Sequence, residues 1–115
     1  MDKIISEHAL SRAATYMTEQ WMGAHVFKVG TRDDFKMFAI LRPGHNRLAV
    51  KAPNADICHL LFEAGVAEAH SHLKRGNWMV LHTDKLESED VCERIDASYD
   101  AVFPSLPKRV RMLIS

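Results

Sequence analysis

The apolar run Trp78-Met79-Val80-Leu81 limits the fold more than any other stretch of the chain. It is too short for a buried helix and Asp84 closes it, so it predicts a buried central strand with Trp78 as a core anchor. The residues before it, His70-Ser71-His72-Leu73-Lys74-Arg75-Gly76-Asn77, predict the end of one strand and a basic glycine turn leading into the next. Strands over 66–72 and 77–83 are therefore expected to form a hairpin. The chain upstream must supply a sheet for these strands to join, and the chain downstream a helix to cover it.

The upstream residues fit that demand. Ile5, Ala9, Leu10, Ala13, Met17 and Trp21 recur at helical spacing, which predicts an amphipathic helix from 3 to about 20, with Asp2 as its N-cap and Gly23 as its stop. Val26-Phe27-Lys28-Val29 is rich in β-formers, and Thr31-Arg32-Asp33-Asp34 makes a polar turn. A second strand runs from Phe35 to Leu41, with Met37, Ala39 and Leu41 on one side and Phe38 and Ile40 on the other. Pro43-Gly44-His45-Asn46 is a strong turn signal, and Arg47-Leu48-Ala49-Val50-Lys51 follows as a third strand. Hairpin spacing makes these three strands an antiparallel meander.

Asn54 opens a second helix, from Ala55 to about Ala64, which Gly65 ends. Ser88 is the expected cap of a third, over 88–103, whose stripe Val91, Ile95, Tyr99, Val102 and Phe103 faces the sheet before Pro104 and Pro107 break it. The order α-βββ-α-ββ-α predicts an α+β fold in two layers: an antiparallel β-sheet with helices packed on one face. A chain of 115 residues with no linker or low-complexity tract reads as a single domain, 1–115.

Charge gives no general pull toward nucleic acid, because Lys+Arg and Asp+Glu both total 15. The charges are nevertheless segregated. Arg42, Arg47, Lys51, Lys74 and Arg75 fall in the middle of the chain, and Lys108, Arg109 and Arg111 near its end. Seven carboxylates from Asp84 to Asp100 lie between these groups. No apolar run approaches a membrane span and the first residues carry no signal-peptide core, so a cytoplasmic protein with no membrane association is expected. Cys58 and Cys92, both in predicted helices, then read as reduced thiols.

No residue pattern supports catalysis. There is no strand-Ser-helix elbow, and Cys58 and His59 are helix neighbours whose side chains diverge by about 100°. The carboxylate pairs Asp33-Asp34 and Glu89-Asp90 fit a turn and a helix start. His70 and His72 alternate and His82 could approach them, but zinc needs three or four ligands at about 2.0–2.3 Å and no cysteine or carboxylate completes a set. No catalytic residue, metal site or cofactor is expected. Two readings stay open for the cations. They solvate ordinary turns, or they contact phosphate from hairpin tips, with Arg42 and Arg47 on one turn and Lys74 and Arg75 on the other.

Several segments in order resemble one family. Val26-Phe27-Lys28-Val29-Gly30 followed by Lys36-Met37-Phe38-Ala39-Ile40-Leu41 resembles the paired strands of the MmcQ/YjbR family. So do Leu48-Ala49-Val50-Lys51-Ala52, His72-Leu73-Lys74-Arg75-Gly76-Asn77-Trp78, and Ser98-Tyr99 with Leu106-Pro107-Lys108. The similarity runs from about residue 5 to 109. It implies a CyaY-like fold and a double-wing protein that binds DNA. The candidate contacts are Arg42, Arg47, Lys51, Lys74, Arg75, Lys108 and Arg109. Two features depart from the pattern: Asn77 stands where the family often has a histidine, and Trp21-Met22-Gly23-Ala24-His25 replaces its usual approach to the first strand. The reading is a small non-enzymatic domain with DNA as its candidate partner. The alternative is a protein-interaction or small-ligand adaptor that uses the sheet face left open by the helices.

Overall fold

The strands of the meander place their apolar residues alternately above and below a sheet, and this alternation organises the whole molecule. The computed structural model describes residues 1–114. Its elements run α1 (Asp2–Leu10), β1 (Thr15–Gln20), β2 (Ala24–Gly30), β3 (Phe35–Arg42), β4 (Arg47–Lys51), α2 (Ala55–Glu63), β5 (Ala67–Ala69), β6 (Trp78–His82), α3 (Ser88–Val102) and α4 (Lys108–Ile114). The strands form one sheet in the order β1-β2-β3-β4-β6-β5, and every neighbouring pair is antiparallel.

The pairs Leu41↔Leu48, Leu48↔Leu81 and Val50↔Met79 line one face. They belong to a core that includes Ile5 and Ala9 of α1, Cys58 of α2, Val91, Ile95 and Tyr99 of α3, and Val110 of α4. The expected α+β fold, with helices on one face of an antiparallel sheet, is the fold observed. Polar contacts fasten the helical layer. Ser98 Oγ donates to the Phe38 carbonyl at 2.6 Å and accepts from the Lys51 amide at 2.8 Å. Arg12 Nη1 and His8 Nε2 reach Asp96 Oδ1 at 2.8 and 2.9 Å, tying the end of α1 to α3. Burial alone would raise the Asp96 pKa, but the hydrogen bonds from Arg12 and His8 outweigh it and hold the carboxyl below its ordinary range.

Five expectations need correction, the last of them at a bulge in β3. The helix predicted for 3–20 ends at Leu10, and Thr15–Gln20 is an edge strand paired with β2. Thr15, Tyr16 and Thr18 are β-formers, and Ala14, at φ 57, lies outside any right-handed helix. Second, β5 is only Ala67–Ala69, so the chain leaves the sheet at His70 and the basic residues lie in a loop, 70–77, rather than on a tight hairpin tip. Third, neither Asp2 nor Ser88 caps its helix through its side chain; Asp2 Oδ2 accepts instead from the Gly44 amide at 2.9 Å. Asn54 does cap α2, accepting from the Ile57 amide at 3.0 Å. Fourth, Trp78 is half-buried and lies opposite Lys51 on the face away from the helices, while Met79 and Leu81 are the buried residues.

One irregularity in β3 decides what each face presents. The register with β2 shifts between Phe27 and Lys28, so that Phe27 opposes Ala39 and Lys28 opposes Met37. Phe38 is the extra residue of a β-bulge. It therefore sits with Ala39 and Leu41 in the core, its ring edge-on to Tyr99 at 5.4 Å, rather than alternating away from them. Met37 and Ile40 are left for the open face. Gly30 closes the neighbouring turn at φ +125, where a Cβ would stand 2.3 Å from the Asp34 carbonyl.

A candidate ligand cleft on the open sheet face

The open face carries Ala24, Val26 and Lys28 of β2, Met37, Ile40 and Arg42 of β3, Arg47, Ala49 and Lys51 of β4, and Trp78, Val80 and His82 of β6. No helix covers it, yet it is not bare. The 70–77 loop bends over it and the turn between β1 and β2 rises beside it. Together they enclose a cleft of about 600 Å³ lined by Trp21, Met22, Ala24, Met37, Ile40, Arg42, His70, His72 and Leu73.

Both lips are built by specific backbone devices. In the first, Trp21, Met22 and Gly23 all have positive φ, 46, 62 and 89. Bulky residues in this left-handed region cost about 1–2 kcal/mol each. The chain bears that strain to hold two large apolar side chains out: Trp21 is 54% exposed and Met22 98%. Local strain of this kind concentrates at functional sites. In the second lip, His70 Nδ1 accepts from the backbone amides of His72 at 3.0 Å and Leu73 at 2.9 Å. Two N–H donors at Nδ1 fix the neutral ring with its proton on Nε2. Burial first, then nearby His72 and Lys74, lower the His70 pKa below the ordinary histidine value. The loop returns to the sheet through Gly76 and Asn77, the latter at φ 61, a conformation asparagine tolerates well. The Asn77 carbonyl then accepts from the Ala52 amide at 2.9 Å and the Cys58 thiol at 3.5 Å.

The seven candidate cations fall into three groups. Arg42 and Arg47 oppose each other beside the 43–46 turn, at the end of β3 away from Lys51. Arg42 is exposed at the cleft. Arg47 lies 3.8 Å from Glu68 and 4.0 Å from Asp84. Lys51, Lys74 and Arg75 gather near the start of β6, where the Lys51 Nζ would touch a Cβ placed on Gly76. Lys74 and Arg75 are exposed and make no ion pair among the described residues. Lys108 and Arg109 begin α4, where Arg109 pairs with Asp34 of the turn between β2 and β3.

The histidines do not converge. His70 and His72 have their rings 6.2 Å apart, and His82 Nε2 is 3.4 Å from Glu68 Oε1 without hydrogen-bond alignment. Among the described residues no group of three His, Cys, Asp or Glu side chains could hold a metal ion. No helix of the described residues is long and apolar enough to cross a membrane. Cys58 is buried, Cys92 half-buried, and both are unpaired. Burial raises both thiol pKa values, which leaves them poor nucleophiles at neutral pH.

Sequence reasoning missed most of the cleft. Trp21 read as the last apolar residue of a helix, Met37 as sharing a strand face with Ala39 and Leu41 rather than with Ile40, and His70 and His72 as strand residues. The doublet of large apolar residues before Gly23 was the available signal, because such residues in a turn are unusual.

Comparison with known proteins agrees with this architecture. The crystal structure of Deinococcus radiodurans protein DR2400, a DUF419-domain protein, superposes with a TM-score of 0.82 at 20% sequence identity, covering 95% of this chain and 83% of that one. At that identity the likeness establishes the fold alone. No curated protein matches the chain. The YjbR family model matches residues 10–101, and by that match over most of its length the chain belongs to the YjbR family.

Proposed function

We propose that this protein is a non-enzymatic binding module that takes a small ligand on the open face of its sheet. The carrying observation is the cleft between the Trp21-Met22 turn and the loop fastened by His70, about 600 Å³ in volume and mostly apolar in lining. Clefts of about 300–1,000 Å³ with an apolar wall and a few polar groups are the usual form of small-molecule sites. The test is a titration of the full chain with the neutral probe N-phenyl-1-naphthylamine, followed by backbone amide shifts. Shifts confined to residues 20–24, 37–42 and 70–73 support the reading. No binding, or shifts spread over the helical layer, would overturn it.

A second reading has its own support. Lys74 and Arg75 are exposed on the same loop, without an ion pair among the described residues, and near Lys51 and Trp78. Such a loop can contact the phosphates of DNA, with Arg42 and Arg47, and Lys108 and Arg109, as further contacts from the remaining groups. DNA affinity would then fall with salt, each neutralised phosphate adding about 0.9 to the slope of log affinity against log salt. Replacing Lys74 and Arg75 with alanine should flatten that slope by up to about 2. No binding of mixed-sequence duplex at low salt would remove this reading and leave the cleft unaffected.

A further inference from the structure

The lining of the cleft is one-sided in charge. In a chain with equal numbers of acidic and basic residues, the described lining holds the cation Arg42, with His70 and His72 beside it, and no carboxylate. The other cations of the open face, Lys28, Arg47 and Lys51, do not line the cleft. Arg47 faces Glu68 and Asp84, and the Lys28 ammonium lies 4.3 Å over the Phe35 ring. Arg42 is the permanent charge that borders the cleft, and it makes no ion pair among the described residues. It stands at the end of β3, one strand-face step beyond Ile40, so the polar end of the cleft continues directly from its apolar floor.

Nothing in the apolar part calls for a polar ligand. Met37 and Ile40 line it from the sheet, Leu73 from the 70–77 loop, and Trp21 from the turn between β1 and β2. The indole is held there by a backbone conformation that disfavours large side chains. An occupant must therefore present a wide apolar surface to these four residues and a negative charge to the guanidinium, whose planar fork suits carboxylate and phosphate oxygens.

We infer that the cleft takes an amphipathic anion: a small molecule with an apolar body packed against Trp21, Met37, Ile40 and Leu73 and an anionic head group at Arg42. This rests on the cleft reading above and adds to it the chemical class of the ligand. Monomeric carboxylates and phosphate monoesters share this chemistry with the surface of an anionic membrane. The lining comes from the sheet, the loop and the turn between β1 and β2, which favours a single molecule packed among them over the flat surface of a bilayer.

The test pairs two fluorescent probes of similar shape on the full chain: anionic 8-anilinonaphthalene-1-sulfonate and neutral N-phenyl-1-naphthylamine. Both should bind and compete. Arg42→Gln should weaken the sulfonate about tenfold, equivalent to about 1.4 kcal/mol, and leave the neutral probe unchanged, while Arg42→Lys should recover part of the loss. Monomeric dodecanoate should displace the sulfonate better than dodecanol does. If Arg42→Gln treats the two probes alike, the anion class is wrong although the cleft stands. If neither probe binds, or Leu73→Ser binds both as the parent does, the cleft itself fails. Co-sedimentation with phosphatidylglycerol vesicles, without displacement by dodecanoate, would overturn the free-molecule assignment in favour of a membrane surface.

Discussion

The two faces of the sheet come from alternate residues of the same strands, yet they serve different ends. On the covered face Phe27, Phe38, Leu41, Leu48, Val50, Met79 and Leu81 are at most 1% exposed, and four helices contribute to the layer against them. On the open face Val26 and Ala49 are buried between neighbours, but Phe35, Met37, Ile40, Arg42 and Trp78 keep exposed surface. The side chains that keep exposed surface there withdraw less apolar area from water and so contribute less to folding. A strand such as Trp78–His82 therefore divides residue by residue, with Met79 and Leu81 buried under the helical layer and Trp78, Val80 and His82 half-buried on the other face.

The comparison breaks first at Phe38. Its ring fills the core at the bulge, with no exposure and the Tyr99 ring at nearly a right angle to it. Phe38→Ala should cost about 3–5 kcal/mol through lost transfer energy and the cavity it leaves, measured by urea denaturation. A loss below about 1.5 kcal/mol would mean that the covered face is not where stability resides.

Trp78→Ala is the matched change on the open face. Sequence reasoning makes this tryptophan a core anchor, and a cost as large as that of Phe38→Ala would restore that view. Half-buried opposite Lys51, it should instead cost about 1 kcal/mol, less than the transfer energy of a fully buried side chain. Equal losses at Trp78 and Phe38 in parallel urea curves would erase the difference between the faces.

How legible these features were in the sequence depended on their range. The meander, the cap at Asn54, the stop at Gly65 and the stripe of α3 were readable because each is a local pattern with a local cause. The antiparallel sheet with its helical layer followed from their order. Three features were not readable. A helical spacing of apolar residues ran through Thr15–Gln20 by coincidence, and only pairing with β2 makes it a strand. The bulge at Phe38 depends on the register between two strands, which no single strand records. The third is the loop over the open face, which is held by His70 accepting from amides two and three residues on. That is a side-chain-to-backbone arrangement with no periodicity to detect. The cleft was hidden because it is assembled from all three.

The smallest expected effect concerns that loop and pH. His70 holds its turn as a neutral acceptor, and its folded pKa lies below the ordinary value of about 6.5. Protonation places a hydrogen on Nδ1, where the amides of His72 and Leu73 already point, so the charged ring cannot keep both bonds. His72 and Lys74 face the same ring and add repulsion. The sign follows from linkage: the open loop takes up a proton more readily than the closed one. Closure is therefore intact above about pH 6.5 and is lost as pH falls below it through the lower, folded value. Global stability should change little, because the loop contributes one half-buried apolar residue, Leu73, and the core lies on the other face. The measurement is hydrogen exchange at the His72 and Leu73 amides, expressed as protection relative to the free-peptide rate. Protection should drop as pH falls below the ordinary histidine value, while amides in β4 and α3 keep theirs. His70→Ala should show low protection at every pH. Protection that stays constant down to pH 5 would mean that His70 does not fasten the roof of the cleft, and the open face would then lack the device that distinguishes it from an ordinary exposed sheet.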